Sequence, residues 1–326
     1  MELGLYTDSV ERLSFEAALD LAAAVGARGI EIAAGGQSSA PHLRLDELLE
    51  DAAARERFVA AFARRGLRIA ALNCSAWPLH PLRGASDRRI IEGTIRLAGL
   101  LGVRKIVTMS GCGGDGAGAT VVNWIWYPWP DDAVALRDRQ WEAAIPLWRE
   151  LGALARDHGV ERIAFELHPL HLVYNVPTLL RMREAVGPVI GANVDPSHMF
   201  WQQMDPLAVV RALGPAVHHV HLKDTALVPE EVALAGVLDG RPFEDPAHRA
   251  WIFRTIGRGH GTEFWAGLVG ALAAAGYDDV LSIENEDPLQ PAAEGVEEAA
   301  AFMYCRPLPD SLLEKLKDYI VLDDIE

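Results

Sequence analysis

Short apolar runs alternate along this chain with longer segments whose apolar residues recur at helical spacing. The first run, 3–6, reads as a strand. The segment 14–25 (SFEAALDLAAAV) carries a helical apolar stripe and stops at Gly26, a residue suited to the left-handed cap that ends many helices. The couplet then repeats. Strands are predicted at 29–32, 67–72, 103–109, 162–166, 189–194, 217–222 and 279–283. Helices are predicted at 45–65, 87–101, 140–158, 177–186, 206–213, 262–275 and 292–303. Gly66 and Gly102 close two of them, and Pro206 suits a first helical turn. Pro146 predicts a kink in the fourth helix or a later start for it.

Eight strands and eight helices in strict alternation predict an α/β protein with a parallel sheet. A doubly wound sheet rarely needs eight such units, whereas a closed (β/α)8 TIM barrel needs that number. No Pro-, Gly- or Ser-rich linker divides the chain. One barrel domain is therefore expected over 1–305, followed by a partly helical tail, 306–326 (with SLLEKLKDYIVL), that packs on the barrel or at a subunit contact.

Two connections are longer than plain turns, and such loops are commonly functional. They run from 110 to about 139 and from 225 to about 261. Each follows a strand, after the fourth and the seventh, which places both on the catalytic face of a barrel. In the first, GCGGDGAG precedes Trp124, Trp126, Tyr127 and Trp129. These rings can stack on a sugar or an aromatic aglycone, pack the loop, or meet a partner chain. Trp126 is taken as the substrate-binding candidate.

Composition narrows the function classes. The net charge of −16 argues against a non-specific grip on nucleic acid, which needs Lys and Arg for the phosphates. It also disfavours an anionic membrane surface, while leaving a neutral sugar or a divalent cation open. The three cysteines, Cys74, Cys112 and Cys305, form no CxxC and suggest neither a disulfide framework nor a thiolate zinc site. No signal-peptide pattern opens the chain and no run of about 18 apolar residues occurs, so a cytoplasmic protein is expected.

Polar residues at the C-terminal ends of barrel strands are the catalytic candidates. Strands five to eight end in Glu166 (IAFELHP), Asp195 (GANVDPSH), His221 (HHVHLKD) and Glu284 (LSIENED). A single Glu at a strand end is more often an ion-pair partner or a helix cap than a ligand. Four such residues on consecutive strands are a stronger signal. Three carboxylates and an imidazole turned into one mouth repel one another without a cation. Oxygen-rich ligands with one imidazole suit Mn²⁺, Mg²⁺ or Co²⁺, and less ideally Zn²⁺ or Fe²⁺. Such an ion can hold a carbonyl beside a hydroxyl and stabilise an enediolate.

Further polar residues flank the four. His168, His198 and His260 are candidates for moving protons, and Lys223, Arg258 and Glu286 for binding substrate. Asp224 follows Lys223. His218 and His219 precede the ligand on strand seven, and alternation turns one of them into the barrel wall. His171 has no evident partner, and His42, His80, His158 and His248 read as surface or loop residues.

ELHPLHLVYN from Glu166, GANVDPSHMFW from Gly191, HVHLKDT from His219, GRGHGTEFW from Gly257 and SIENEDP from Ser282 carry a resemblance. With GLYT at position 4, they make the chain similar to the sugar phosphate isomerase/epimerase superfamily, with a xylose-isomerase-like barrel, over essentially its whole length. The resemblance implies that Glu166, Asp195, His221 and Glu284 hold one divalent ion, Mn²⁺ foremost, with Mg²⁺, Co²⁺ or Zn²⁺ as alternatives. It implies that Glu166 and Glu284 act as the acid/base pair and that His198 touches substrate. The expected reaction is enolisation of a keto-sugar, completed as isomerisation or epimerisation.

Two departures open an alternative. Where epimerases carry a further Glu, this chain reads His168, Pro169 and His171. The stretch GVLDGRPFEDPAHRAWIFRT is absent from compact epimerases. It resembles a subgroup that includes the large subunit of C-glycoside deglycosidases, which eliminate an aglycone from a 3-keto-glycoside with a small partner subunit. A keto-glycoside lyase is thus the second expectation, and a non-catalytic sugar-binding or scaffolding protein the third. The expected partners are a small sugar or glycoside and other subunits of an oligomer, with a small partner subunit in the lyase case. An endonuclease of the same superfamily needs more ligands and a basic surface, and the charge disfavours it.

Overall fold

The computed structural model describes residues 1–304; Cys305 and the tail expected at 306–326 lie outside them. The strands are β1 (Glu2–Tyr6), β2 (Gly29–Ala33), β3 (Arg68–Cys74), β4 (Lys105–Thr108), β5 (Arg162–Glu166), β6 (Ile190–Val194), β7 (Val217–Leu222), β8 (Asp224–Leu227), β9 (Trp251–Arg254) and β10 (Val280–Ile283). Eight of them close a parallel barrel in the order β1-β10-β7-β6-β5-β4-β3-β2, while β8 and β9 form a separate antiparallel pair. The (β/α)8 TIM barrel expected from the alternation is the observed fold.

The helices are α1 (Phe15–Ala24), α2 (Leu45–Glu50), α3 (Ala52–Ala63), α4 (Gly84–Leu101), α5 (Asp131–Asp157), α6 (Val176–Val186), α7 (Pro196–Trp201), α8 (Pro206–Leu213), α9 (Pro229–Ala235), α10 (Thr262–Ala274) and α11 (Ala292–Met303). Among the described residues, none is long and apolar enough to cross a membrane. The main core lies between sheet and helices. Leu5, Ile30, Ile32, Leu72, Ile106, Phe165 and Ile283 from the strands share one buried cluster with Leu19, Phe62, Ile91, Trp148 and Leu268 from the helices. Each such side chain contributes about 1.5–3 kcal/mol when fully removed from water.

Inside the barrel the packing is small and then polar. Ala71, Val107 and Ala164 form a separate buried layer. At Gly4 and Gly29 a Cβ would collide with the Val280 side chain, so both positions stay bare to admit it. At Gly191 a Cβ would collide with the His218 ring. The register between β6 and β7 shifts between Ala192 and Asn193, which pair with Val217 and His219 and leave His218 as an extra residue. That shift is why strict alternation does not describe His218 and His219. A similar shift at Ile30/Glu31 pairs Glu31 with Ala71.

Most boundaries shift by a residue or two, and several elements depart further from the sequence expectation, among them the unexpected helix α7. Residues 45–65 form two helices, because the Asp51 carboxylate accepts the Ala53 N–H at 2.8 Å and starts α3 anew. Helix α4 starts at Gly84, not at 87. Helix α5 starts at Asp131, not at 140. Asp131 and Asp132 stand in its first turn, where carboxylates complement the exposed N–H groups, and Pro146 sits inside the helix without ending it. The connection after the seventh barrel strand holds β8, α9 and β9.

Candidate active site

Side chains two apart along a strand share a face, so each inward-facing row ends at the mouth. Glu166 closes β5, Asp195 follows β6, His221 stands near the end of β7, and Glu284 follows β10. Each offers one ligand atom, and the four atoms all lie within 4.8 Å of one another. Asp195 and His221 are fully buried, and the Glu284 side chain is 11% exposed.

Asp195 Oδ1 accepts the Ser197 N–H at 2.8 Å, while its Oδ2 is buried with no hydrogen-bond partner. Glu284 Oε2 lies 2.9 Å from His221 Nδ1 and likewise forms no hydrogen bond. Buried oxygens of this kind are costly unless something else satisfies them. Burial, with Glu284 beside it, raises the Glu166 pKa. Burial raises Asp195 well above the carboxylate range, with Glu284 and Glu166 adding to it against the pull of Lys223. Burial would also raise Glu284, but Lys223 and His221 overcome it and hold that group low. Three crowded carboxylates, one imidazole and two unsatisfied oxygens fit a divalent cation.

His198, on α7, places Nε2 3.0 Å from Glu166 Oε1 and 3.4 Å from Asp195 Oδ2. The His168 ring lies beside it, with centroids 4.1 Å apart. His168 Nδ1 lies 2.5 Å from Pro169 O, so Nδ1 donates and Nε2 keeps the lone pair. Burial and the neighbouring His198 push His168 down to about 4, and burial lowers His198 well below its ordinary value. Lys223 Nζ contacts Glu286, lies 3.4 Å from Glu284 Oε2 and sits 4.3 Å from the centroid of the Phe253 ring.

These groups open on a cavity of about 940 Å³. Glu166, His168, His198, Lys223, Glu284 and Glu286 line one part of it; Tyr6, Asp8, Gln37, Ser38 and Ser75 add hydroxyl, carboxylate and amide groups. Trp124, Trp201, Trp251, Phe253, Phe243 and Leu238 form an apolar wall, to which β9 contributes two rings. Trp201 and Trp251 stack with centroids 4.9 Å apart and planes 3° from parallel.

Three of the candidates named from sequence stand elsewhere. Arg258 forms a two-pronged pair with Glu298, both contacts at 2.8 Å. His260 donates through Nδ1 to Asp224 Oδ1 at 2.8 Å, and its ring stacks on Phe200 at 3.6 Å. Asp224 also accepts the backbone N–H groups of Gly257, Gly259 and His260, and so ties down the GRGHG turn. Trp126 is 46% exposed and packs edge-on against Tyr127; Trp124 lines the cavity instead. His171 has a partner after all: its Nδ1 accepts the Gly111 N–H at 3.2 Å, and its ring lies 4.0 Å from that of Trp77.

Sequence reasoning missed Glu31, on β2 and fully buried. Its carboxylate accepts from Asn73 Nδ2 (2.8 Å) and Ser282 Oγ (2.8 Å), and meets His219 Nε2 (2.7 Å) and His221 Nε2 (3.0 and 3.1 Å). The available signal was one acidic residue between two isoleucines in GIEIA. Burial opposes its ionisation, yet His221 and His219 hold its pKa well below the carboxylate range. The Tyr6 ring stacks on His221 with centroids 5.7 Å apart.

The model of the xylose isomerase-like TIM barrel family matches residues 19–305. An uncharacterised protein of Bacillus subtilis (strain 168), YfiH, is 43% identical over 291 residues, covering 88% of this chain and 93% of its own. Among solved structures, the IOLI protein with a bound zinc atom has a TM-score of 0.65 at 18% identity, covering 99% of this chain and 100% of that one. L-ribulose 3-epimerase has a TM-score of 0.62 at 18% identity, covering 99% of each chain. At these identities the two structures show the shared fold.

Proposed function

This chain belongs to the xylose isomerase-like TIM barrel family, and from that premise we propose that it is a metal-dependent enzyme that enolises a keto-sugar or sugar derivative and reprotonates it to an isomer or epimer. The observation that carries the reading is the convergence of Glu166, Asp195, His221 and Glu284 within 4.8 Å, with Asp195 Oδ2 and Glu284 Oε2 left unsatisfied. The zinc of the IOLI protein and the substrate class named for L-ribulose 3-epimerase support it.

The four side chains would hold one divalent ion, and their oxygen-rich set with a single imidazole favours Mn²⁺, with Mg²⁺, Co²⁺ or Zn²⁺ accepted. When bound, the ion supplies a Lewis acid that polarises a carbonyl oxygen. Glu166 and Glu284 come from strands separated in the barrel by β6 and β7, so they approach the mouth from different sides. One takes the proton from the carbon beside the carbonyl, and the other delivers its own proton to the opposite face. His198 Nε2, against Glu166 Oε1, can pass the abstracted proton onward. Lys223 and Glu286 fix the Glu284 side of the cavity, and Asp8, Ser38 and Gln37 offer partners for sugar hydroxyls.

One observation favours a second outcome for the same enolate. A cavity of about 940 Å³ is at the upper end of pockets that hold drug-sized ligands, and its aromatic wall suits an apolar substituent. In a 3-keto-glycoside the α-proton leaves to the Glu, the electron pair forms a C=C bond, and the aglycone departs with the pair of its own bond. The proton that the leaving group takes up is the one Glu166 has accepted, relayed through Nε2 of His198. No oxidant enters the balance. The metal-loaded protein in deuterium oxide, with a panel of ketoses and 3-keto-glycosides followed by NMR, separates the outcomes. Deuterium entering beside the carbonyl without loss of a group supports isomerisation; aglycone release supports elimination. No exchange from any member of the panel, with the metal confirmed bound, would mean that a partner subunit or the true substrate is missing or that the enolate mechanism is wrong. A protein that holds no metal would favour a sugar-binding or scaffolding role.

A further inference from the structure

We infer that Glu31 is a positioning residue that selects Nδ1 of His221 as the atom offered to the metal. The inference rests on the metal reading above and concerns a residue that lines no part of the cavity and meets the ligand cluster only through His221. Glu31 lies deeper in the barrel, where no Lys or Arg forms an ion pair with it among the described residues. A buried carboxylate is tolerated only when its oxygens are satisfied.

Four side chains from three other strands do that here. Asn73 reaches Oε1 from β3, Ser282 reaches Oε2 from β10, and His219 and His221 reach the carboxylate from β7. An ionised carboxylate only accepts, so each imidazole must present an N–H to it. His221 therefore spends its Nε2–H on Glu31. The ring nitrogen that remains is Nδ1, and it lies 2.9 Å from Glu284 Oε2 on the cluster side. Tyr6, stacked on the ring face, opposes rotation that would exchange the two nitrogens. A carboxylate behind a ligating imidazole sets its tautomer and orientation, and loss of such a partner commonly weakens metal binding about 10–100-fold.

A purely structural Glu31 would stitch β2 to β7 and β10 without deciding which nitrogen binds. Two measurements separate these roles. The first is Mn²⁺ and Zn²⁺ affinity by competition with a chelating indicator, for wild type and Glu31→Gln. The variant should bind about 10–100-fold more weakly. The second uses the Zn²⁺-loaded wild type alone, so it survives a variant that fails to fold. The imidazole nitrogen shifts of His221 should show a protonated Nε2 and a coordinated Nδ1. Equal affinity in a folded Glu31→Gln, or coordination through Nε2, overturns the inference and leaves the proposed reaction standing. A wild type that coordinates Zn²⁺ through Nδ1 yet exchanges no substrate proton leaves this inference standing and removes the proposed reaction. A wild type that binds neither ion removes both.

Discussion

His198 Nε2 and Glu166 Oε1 lie 3.0 Å apart at the floor of the cavity, joining the helix after β6 to the end of β5. Both side chains are about 95% buried, so water competes little for the contact. An imidazole held against a carboxylate that exchanges protons is suited to carry the proton away from it. His198→Asn should therefore lower solvent deuterium incorporation by about 10²–10⁴-fold, the usual worth of a positioned acid or base. Metal content should change far less. A variant that incorporates deuterium at the wild-type rate removes His198 from the proton path.

Glu284→Gln is the sharper test of the site. The amide keeps the shape but neither accepts a proton nor repels its neighbours. Activity should be abolished while the fold survives, with thermal stability at or somewhat below wild type, because Lys223 and His221 lose the ionised carboxylate that they hold. Unchanged turnover would sink the assignment of Glu284.

A strand that is apolar to its last inward position and then polar announces its end. Glu166 obeys that rule on β5. Asp195, His221 and Glu284 stand at the ends of strands that already carry the buried polar residues Asn193, His219 and Ser282, and were legible because a carboxylate or imidazole recurs at four consecutive strand ends. Glu31 sits mid-strand, and only the closed barrel reveals that its partners are Asn73, His219 and Ser282, far away in sequence. Register shifts at Glu31 and Asn193 depend on how neighbouring strands pair, which one strand's pattern cannot encode. The β8–β9 pair was read as loop because Leu227 and Trp251 meet only across α9 and its flanking turns. Arg258 and His260 were legible as polar but not as already engaged, by Glu298 and Asp224.

The opposite end of the barrel sets an acid limit on stability. Asp279 sits among Lys105 Nζ (2.9 Å), Arg68 Nη2 (3.1 Å) and Arg162 Nη1 (3.5 Å). Burial raises its pKa, but Lys105 and then Arg68 overcome this and hold it far below the carboxylate range. A depressed pKa means that the contribution is complete above the unfolded value of about 3.9 and fades as pH falls below it. Asp279→Asn should cost about 1–3 kcal/mol at pH 7, since Lys105 is left buried without its partner. The gap between variant and wild type should narrow as unfolding is measured at progressively lower pH below about 4. A gap independent of pH would show that the loss is one of packing.

The apolar wall decides between the two outcomes of the enolate. Phe243 lines the cavity, is 54% exposed, and stacks on Phe253 with centroids 5.9 Å apart. Its exposure makes Phe243→Ala a mild change for the fold. If the wall receives an aglycone, removing the ring deletes one stacking partner, worth about 0.5–1.5 kcal/mol, or about 2–10-fold in KM. That rise should appear with an aryl 3-keto-glycoside and be absent with an unsubstituted ketose, because a lone sugar ring beside Glu166 and Glu284 leaves the far wall unused. Equal kinetics with both substrates would mean that the wall does not touch substrate, and the case for elimination would lose its only structural support. A rise confined to the aryl substrate would make the substituent, and not the sugar, the feature that β9 and its flanking turns were inserted to recognise.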